Sequence, residues 1–411
     1  MIKKFGFRNF SSFKDGAEIN FSFRDDCIDE EDLTGNISTV IGIKGANGSG
    51  KTNILKALTF LYCFCSKRVG KTSNQNSANK KEPEIEIPVT TFSGNGDVAE
   101  FYIEFIRRGV TYYYELDVKS TGIVREEIRR KIKKEVVCLI REGNKIIFNL
   151  KEFDELKKLR LKPDQSIISV VEDFVFHEAM YDLDIMNWNF TRILFNVGYD
   201  GYKSPDQNDY FFVSEFYFRN EKAFELVKEI IKSVDNGIVD IIIEKTTDSE
   251  SGDDIYFPTF LHNNGEKQFS VGLSHESMGT KALFLTLNQY WLALKDGSLL
   301  VLDEFDTHLH SMILPEIIEL FTNKKINKNN AQLILTAHNT EIIDSLGRCR
   351  TILVNKDNNE SYCYRLDDIP LLRNDRLISP LYRKGRIGGT PSKIEGLASR
   401  LAEEWNFDFN D

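Results

Sequence analysis

The sequence is poor in cysteine and lacks long apolar runs. Only 6 of its 411 residues are cysteines, and none has the paired spacing of a zinc site, so we expect free thiols in a reducing compartment. No apolar run approaches the ~20 residues that a membrane-spanning helix needs. Charged and polar residues interrupt the N-terminus where a signal peptide would stand. These absences predict a cytoplasmic protein that has no membrane partner.

The sequence also lacks an excess of positive charge. It carries 53 Lys+Arg against 63 Asp+Glu, a net charge of −10. This balance does not favour nucleic acid as a partner, although a local basic patch is compatible with it. The length suffices for a large buried core, in one elaborated domain or in two.

The octet at residues 45–52 is a phosphate-binding loop, preceded by an apolar strand at 39–43 and followed by an amphipathic helix. Its glycines let backbone N–H groups point at phosphate oxygens, Lys51 adds a positive charge, and the Thr52 hydroxyl can ligate Mg²⁺. The order strand, loop, helix argues against a chance glycine-rich turn. The sequence thus predicts ATP and Mg²⁺ as cofactors, bound through Gly45, Asn47, Gly48, Ser49, Gly50, Lys51 and Thr52.

A second apolar run, residues 298–302, ends in the acidic pair Asp303 and Glu304. Such a run is what a central parallel strand needs when both of its faces are covered. Asp303 can complete the Mg²⁺ shell, and Glu304 can act as the base that polarises a water for attack on the γ-phosphate. An acidic pair after a strand is also common as a surface turn, so this interpretation depends on the phosphate loop.

A third apolar run, residues 331–337, ends in His338. A histidine at this place can hydrogen-bond the γ-phosphate or the attacking water and so distinguish the bound nucleotide. Its distance from Asp303 along the chain fits one strand–helix–strand step. The alternative is a histidine that is hydrogen-bonded at a strand end without a catalytic role.

Ser277, Gly279 and Lys281 stand at the start of a further helix whose first turn has no acid. A serine in this place is ordinarily an N-cap. A helix N-terminus without an acid is also an anion site. Because the chain's own site is already filled by Lys51, Asp303 and His338, we expect these residues to contact the γ-phosphate bound by a second copy. The partner is then the chain itself, in a head-to-tail dimer or a higher homo-oligomer.

The spacing of the motifs predicts the architecture. The stretch between the phosphate loop and the acidic pair is far longer than one or two strand–helix units require. Within it, residues 89–118 alternate as strands do, with a hairpin at Arg108-Gly109, and we expect an antiparallel flank there. From about 124 to 236 the pattern is mostly helical, with apolar residues at three- and four-residue steps from Val171 to Phe195 and from Phe211 to Val234. We therefore predict an α/β fold with a mixed sheet, composed of an ATPase part at 1–123, an inserted helical lid at 124–236 and a second ATPase part at 237–411.

Three further segments allow two interpretations each. The basic stretch 125–134 can contact nucleic acid, but we favour a solvated helix face. Residues 306–310, Asp-x-His-x-His, can be a metal cluster, although no further ligand cluster supports it. The glycine-rich segment 385–389 lacks a following Lys-Ser/Thr and is more typical of a turn that docks the C-terminal helix, from which Arg386 can reach a phosphate or a partner.

The motifs in this order resemble the ATP-binding-cassette ATPases of the structural-maintenance (SMC) and RecF type. Residues 1–13, with a return strand at 18–21, resemble the first hairpin of that group. Residues 276–281, 303–310 and 381–391 are similar to small AAA ATPases of bacterial defence islands: the RloA-like and AbiLi-like proteins and the ATPase subunit of the PARIS anti-phage system. The resemblance implies an ABC-type ATPase head that dimerises around ATP and controls a separate toxic effector, often a nuclease, as a toxin–antitoxin-like pair.

Two departures from the group stand out. Its members usually carry a glutamine that senses Mg²⁺ between the phosphate loop and the acidic strand, and neither Gln75 nor Gln165 suits that role. Transport cassettes usually have aspartate where this chain has His310, which argues against a transporter subunit. The residues after His338 hold no acid cluster suited to two metals, so a nuclease within the chain is not expected. A RecF-like DNA-repair ATPase and an ATP-dependent scaffold remain as alternatives.

Overall fold

The computed structural model describes residues 1–24, 27, 36–67, 87–177, 180–199, 201–205, 209–249, 251–369, 377–391 and 397–404. In this part of the chain the strands form sheets of seven, six, three and two strands, with helices on the faces of the six-stranded sheet. The α/β fold class with a mixed sheet is thereby confirmed.

The elements are numbered in chain order. The strands are β1 (Ile2–Arg8), β2 (Ala17–Asn20), β3 (Val40–Gly45), β4 (Ala99–Arg107), β5 (Val110–Lys119), β6 (Gly122–Lys131), β7 (Glu135–Glu142), β8 (Lys145–Asn149), β9 (Ile193–Phe195), β10 (Val197–Gly198), β11 (Gly201–Tyr202), β12 (Ile238–Thr247), β13 (Asp254–Asn263), β14 (Gln268–Gly272), β15 (Leu299–Leu302), β16 (Gln332–Thr336), β17 (Thr351–Asp357) and β18 (Glu360–Arg365). The α-helices are α1 (Lys51–Cys65), α2 (Tyr181–Thr191), α3 (Tyr210–Arg219), α4 (Glu221–Val234), α5 (Met278–Asp296), α6 (Ile313–Thr322), α7 (Ile342–Leu346), α8 (Ser379–Arg383) and α9 (Leu397–Glu404).

The six-stranded sheet has the order β18-β17-β3-β16-β15-β9. Strand β3 pairs in parallel with both β16 and β17, and β15 pairs in parallel with β16 and β9. The carboxyl ends of parallel strands meet at one edge of a sheet, where open α/β sheets bind their ligands. The three motifs that follow β3, β15 and β16 therefore share that edge.

Both faces of this sheet are buried. Along β15, Leu299 and Val301 belong to one hydrophobic core, and Leu300 and Leu302 belong to the other. A continuous apolar run thus fills two cores by alternation, since successive side chains of a strand point to opposite faces. This confirms that the run before the acidic pair is a central buried strand.

The first core lies between the six-stranded sheet and the seven-stranded antiparallel sheet, with α1 inside it. The rings of Phe60 on α1 and Phe101 on β4 lie 5.0 Å apart. Strands β4 and β5 are joined by Arg108 and Gly109, with φ of 51° and 78°, the pair of positive angles that a two-residue hairpin turn requires. The predicted antiparallel flank, its hairpin and the β1–β2 return are confirmed.

The helical interpretation of the first part of 124–236 is wrong. Residues 122–149 form β6, β7 and β8, which extend the same antiparallel sheet, so the boundary at 123/124 falls inside a strand. Charged residues occupy buried positions here, so the sequence does not show the alternation of apolar and polar residues that indicates a strand. Glu126 and Arg141 are each 0% exposed and form an ion pair of 3.1 Å.

The basic stretch 125–134 is accordingly a strand and a turn, not a solvated helix face. Arg125 and Arg129 form ion pairs with Glu115 and Glu127. Arg130 pairs with Asp182 and Glu152 in the same manner. These cations are neutralised within the chain, which reduces the attraction that they could offer to nucleic acid.

The later part of the predicted insertion is helical in α2, α3 and α4, but the helix predicted to run to Phe195 is wrong at its end, where β9 joins the six-stranded sheet and β10 and β11 follow. Helix α3 packs directly on α5: the Tyr217 hydroxyl donates to the Phe284 carbonyl at 2.8 Å, and the two rings meet edge to face. Helix α2 packs in the first core, where Phe190 contacts Tyr62 of α1. The helices between 181 and 234 therefore share both cores with the elements that carry the sequence motifs. The division into three segments otherwise stays a prediction.

Two findings bear on the environment of the protein. Cys27 and Cys349 form a disulfide with a Cα–Cα distance of 6.1 Å, which corrects the expectation that all the cysteines are free. Their separation of 322 residues gives no local signal that sequence reasoning could use. Among the described helices, none combines the length and the apolar character that crossing a membrane requires.

Candidate nucleotide-binding site

The phosphate loop occupies the turn between β3 and α1. Gly50 has a φ of 111°, a conformation that L residues rarely adopt, and it lets α1 begin at Lys51. A Cβ at Gly45 would lie 2.4 Å from the Val354 carbonyl oxygen, so this position also requires glycine. Asn47 and Gly48 form the exposed tip of the loop, and Ser49 is buried below it.

A buried hydroxyl and a buried lysine of this loop favour a phosphate ligand. Ser49 Oγ is buried and has no hydrogen-bond partner in the part of the chain that the structure describes. Lys51 Nζ folds back and donates to the carbonyls of Gly45 at 3.0 Å and Ala46 at 3.1 Å. Burial lowers the pKa of Lys51, against the opposing effect of nearby carboxylates, chiefly Asp303. A buried hydroxyl without a partner is costly, and a buried lysine favours an anion. The loop therefore fits a phosphate ligand.

A carboxylate joins the loop to the acidic strand. Thr52 Oγ1 donates to Asp303 Oδ2 at 2.8 Å, and Thr336 Oγ1 donates to Asp303 Oδ1. Asp303 is 2% exposed. The two residues expected to share Mg²⁺ are thus in direct contact, and a hydroxyl and a carboxylate are oxygen ligands of the kind that Mg²⁺ prefers.

Asn196, which sequence analysis did not select, supports Asp303. It follows β9, the neighbour of β15. Its Nδ2 donates to the Asp303 carbonyl at 2.8 Å, and its Oδ1 accepts from the Asp303 N–H at 2.7 Å. The amide that the fold brings to the acidic strand is this asparagine, not a glutamine. Because β9 has only three residues, its pattern gave no signal.

Glu304 and His338 face the open edge of the sheet. Glu304 has a φ of 49°, a left-handed conformation whose cost is of the order of 1 kcal/mol for a non-glycine residue. This turn directs its side chain away from the buried position of Asp303. The distance between Glu304 Oε1 and His338 Nε2 is 3.8 Å. The structure therefore brings the candidate base and the candidate γ-phosphate ligand together.

Asp306 holds the histidine loop in place. Its carboxylate accepts from the backbone N–H of His338 at 2.9 Å and from that of Asn339. Among the described residues, the side chains that lie close enough together to hold a metal ion are Cys27, Cys349 and Asp367. Residues 306–310 do not belong to this group, so their interpretation as a metal cluster is not supported. Asp306 instead joins the loop after the acidic pair to the histidine loop by hydrogen bonds. The spacing of residues in the sequence could not predict this role.

Lys44 connects the phosphate-loop strand with the histidine loop. Its Nζ donates to the carbonyls of Ala337, at 3.1 Å, and His338. Burial lowers the pKa of Lys44 to about 8, an effect that the carboxylate of Asp306 opposes and the charge of Lys51 reinforces. Strands β3 and β16 are thereby joined at the edge where the nucleotide would bind.

The start of α5 packs against the loop that follows the acidic pair. Ser277 Oγ caps the helix by accepting from the Thr280 N–H at 3.1 Å, and Lys281 Nζ donates to the Ser274 carbonyl at 2.7 Å. A Cβ at Gly279 would lie 2.8 Å from the His308 carbonyl oxygen, so the helix start packs against the loop that follows the acidic pair. Among the described residues no hydrogen bond joins Ser277, Gly279 or Lys281 to the phosphate loop.

The glycine-rich C-terminal segment docks beside the phosphate loop. Tyr382 donates its hydroxyl to the Gly389 carbonyl at 2.7 Å, and the Gly389 N–H donates to Asn355 Oδ1 of β17. A Cβ at Gly389 would lie 3.7 Å from Gly45 Cα. The predicted turn is present, but it packs on β17 and the phosphate loop, and its docking of the C-terminal helix stays a prediction. Arg386 is exposed.

The fold and this site define a P-loop nucleotide-binding protein. The chain belongs to the family described as "AAA domain, putative AbiEii toxin, Type IV TA system", whose sequence model matches residues 40–344. This match includes the phosphate loop, the acidic pair and the histidine. The narrower likeness to RloA-like, AbiLi-like and PARIS proteins stays a prediction.

Similar solved structures are SMC head domains. One is an SMC head bound to the C-winged helix domain of ScpA, with 15% identity and a TM-score of 0.47 over 89% of this chain and 99% of that one. A second, from Pyrococcus furiosus, has an extended coiled coil and is bound to the C-terminal domain of ScpA; it has 14% identity and a TM-score of 0.45 over 90% and 97%. A third, from Pyrococcus yayanosii, has 12% identity and a TM-score of 0.43 over 89% and 96%. No curated protein matches the chain.

Proposed function

We propose that the protein is an ATPase that binds ATP at the phosphate loop and hydrolyses it with Glu304 as the general base. One observation carries the proposal: the Thr52 hydroxyl contacts the Asp303 carboxylate at 2.8 Å, with Glu304 next in the chain. A phosphate loop, a metal-binding carboxylate and a following acid are the parts that hydrolysis of a nucleoside triphosphate requires.

Different side chains serve nucleotide binding and hydrolysis. Lys51 and the backbone N–H groups of the loop bind the phosphates. Glu304 accepts the proton of the attacking water, and His338, 3.8 Å from it, contacts that water or the γ-phosphate. Mg²⁺, when held by Thr52 and Asp303, neutralises charge on the phosphate oxygens. Asn196 and Asp306 keep the acidic strand and the histidine loop in position.

The test of nucleotide binding is Lys51→Ala, with Lys56→Ala on the same helix as the matched control. At a hundredfold excess over the dissociation constant, ATP with Mg²⁺ should stabilise the wild type by about 2.7 kcal/mol. Lys51→Ala should lose this shift and Lys56→Ala should keep it, as measured by thermal unfolding. An unchanged shift in Lys51→Ala would exclude the assignment.

The proposed active form contains two chains. Ser277, Gly279 and Lys281 of one copy would complete the site of the other, since an uncompensated helix N-terminus attracts an anion. Lys51→Ala and Ser277→Arg proteins are each expected to be inactive, but mixing them leaves one intact composite site in each heterodimer. Partial recovery of ATPase activity supports the arrangement. Heterodimers that form without any recovery count against it.

The biological role that we propose is the regulation of a separate toxic effector, such as a nuclease, during anti-phage defence in the cytoplasm. The family description, which names a putative toxin of a toxin–antitoxin system, supports this direction. Nucleotide state would change the dimer interface, and the partner would respond to that change. The test is a plaque assay with and without the neighbouring genes, beside Lys51→Ala. Protection by this gene alone, or protection that Lys51→Ala does not change, would exclude an ATP-gated pair.

A RecF- or SMC-like repair ATPase is the second candidate, and a nucleotide-dependent scaffold is the third. Repair requires DNA binding with a steep dependence on salt. The arginines of β6 are engaged in ion pairs within the chain, which favours defence over repair. A scaffold would bind ATP without hydrolysing it, so measured phosphate release separates it from the first two.

A further inference from the structure

A cavity of about 680 Å³ adjoins the start of α5. It lies between that helix, the β12–β14 sheet and the first turn of α3. Its wall is mostly apolar and includes Tyr210, Phe211, Phe257, Leu273 and Leu285. A mostly apolar cleft of this volume, with a few polar groups, is typical of sites for small organic ligands.

The polar groups of the wall are few and include a cation. Lys281 and His308 line the cavity, together with Ser274, whose carbonyl accepts from Lys281 Nζ. No aspartate or glutamate belongs to the described residues that line it. A charge without an acidic counterpart in the wall favours a ligand with an anionic group. We propose that this cavity binds a small organic ligand, distinct from the toxic partner protein, that has an apolar ring system and one anionic group.

The position of the cavity connects it with the nucleotide site. Met278 lies between Ser277 and Gly279, and it lines the cavity together with Lys281 of the same helix start. His308, from the loop that follows Glu304, lines it from the other side and has a φ of 68°. A Cβ at Gly279 would lie 2.8 Å from the His308 carbonyl oxygen. A ligand in the cavity therefore contacts His308 and Met278, the chain neighbour of Gly279, and its binding changes the affinity for nucleotide. This last step rests on the proposed function, whereas binding in the cavity does not.

Gly272 provides a variant that fills the cavity. It lines the wall, its φ of −79° is one that any residue adopts, and a Cβ there would meet no atom within 4 Å. Gly272→Trp should therefore place an indole in the open volume without backbone strain. Gly272→Ala is the matched control, because it adds a Cβ and leaves the volume open.

The probe is 8-anilinonaphthalene-1-sulfonate, an aromatic anion whose fluorescence rises in apolar surroundings. Titrated into the full chain without nucleotide, it should show a saturable fluorescence increase in the wild type and Gly272→Ala. Gly272→Trp should lose that increase, and Lys281→Met should weaken it. Phe148→Ser removes an aromatic ring on β8 that is 44% exposed and is absent from the cavity wall, so this variant should bind the dye as the wild type does.

Dye binding that Gly272→Trp leaves unchanged would overturn the proposed site, as would binding that Phe148→Ser removes. The coupling is tested by the ATP-induced shift in melting temperature, which should differ between dye-free and dye-saturated wild type and should not differ in Gly272→Trp. An equal shift with and without dye overturns the coupling and leaves the site. The absence of any ATP shift in the dye-free wild type overturns the proposed function instead, and the dye titration is independent of that result.

Discussion

Two threonines contact the same carboxylate, and this allows a controlled test of the metal assignment. Thr52 Oγ1 donates to Asp303 Oδ2 and Thr336 Oγ1 donates to Asp303 Oδ1. We expect Thr52→Val to remove a ligand of Mg²⁺, whereas Thr336→Val removes an equivalent hydrogen bond from a residue to which we assign no metal. Both substitutions keep the β-branched shape of the side chain.

The magnitudes follow from the burial of Asp303, which is 2% exposed. A hydrogen bond to a charged acceptor contributes about 1.5–3 kcal/mol, so both variants should lose stability in that range when no nucleotide is present. The nucleotide-dependent gain should differ between them. At a hundredfold excess of ATP with Mg²⁺ the wild type gains about 2.7 kcal/mol, and a tenfold weaker affinity reduces the gain to about 1.4 kcal/mol.

The assay is thermal or denaturant unfolding with ATP, in Mg²⁺ and in EDTA. The Mg²⁺-dependent part of the gain should fall in Thr52→Val and persist in Thr336→Val. ATPase rate is not a suitable measure here, because Thr336 Oγ1 also accepts from the Glu304 N–H at 2.9 Å and its loss would disturb the base. A Mg²⁺-dependent gain that survives in Thr52→Val and disappears in Thr336→Val would refute the assignment.

Three further predictions use other groups of the structure. Glu304→Gln should bind ATP and stop releasing phosphate, because an amide cannot take the proton of the attacking water; phosphate release at the wild-type rate would mean that another residue is the base. For Lys44, the pKa of about 8 in the folded protein lies below the ordinary value of 10.5, so the unfolded chain binds more protons between these pH values and folding is favoured as pH rises through them. The free energy of unfolding of the wild type relative to Lys44→Met should therefore increase from pH 8 to pH 10, and a decrease would contradict the buried lysine. Glu126→Gln should destabilise the fold by about 3 kcal/mol or more, since it leaves the buried charge of Arg141 unpaired; Glu152→Gln, which disturbs an exposed ion pair of Arg130, should cost less than about 1 kcal/mol in the same denaturant titration.

The motifs could be predicted from the sequence because each is local. The phosphate loop needs eight consecutive residues, and the strands before Asp303 and His338 are continuous apolar runs that only a doubly covered strand explains. Parallel pairing then brings their ends to one edge of a sheet, so contacts such as Thr52 with Asp303 follow from the order of the motifs. The phosphate loop and the apolar runs therefore determine this part of the fold locally, and long-range contacts do not change it.

The remaining features depend on contacts between distant residues. Asn196 is one amide after a three-residue strand, and its role appears only when β9 pairs with β15. The strands of 122–149 carry buried charges such as Glu126 and Arg141, whose cost is offset by each other and by hydrogen bonds, so the alternation of apolar residues was lost. Cys27 and Cys349 come together only after the chain has folded.

The exposure of neighbouring residues divides the site into two halves. Asp303 is 2% exposed, whereas the side chains of Glu304 and His338 are 43% and 47% exposed. The half proposed to bind metal and phosphate is therefore formed within one chain, and the half proposed to hydrolyse ATP lies open to water. A general base in open water acts in a high dielectric, where its electrostatic effect on the transition state is weak. An efficient site needs a surface that covers Glu304 and His338, and among the described residues no hydrogen bond joins the start of α5 to either side chain. The asymmetry thus favours the proposed dimer, in which the start of α5 of a second copy would cover both side chains and bound ATP would hold the two copies together.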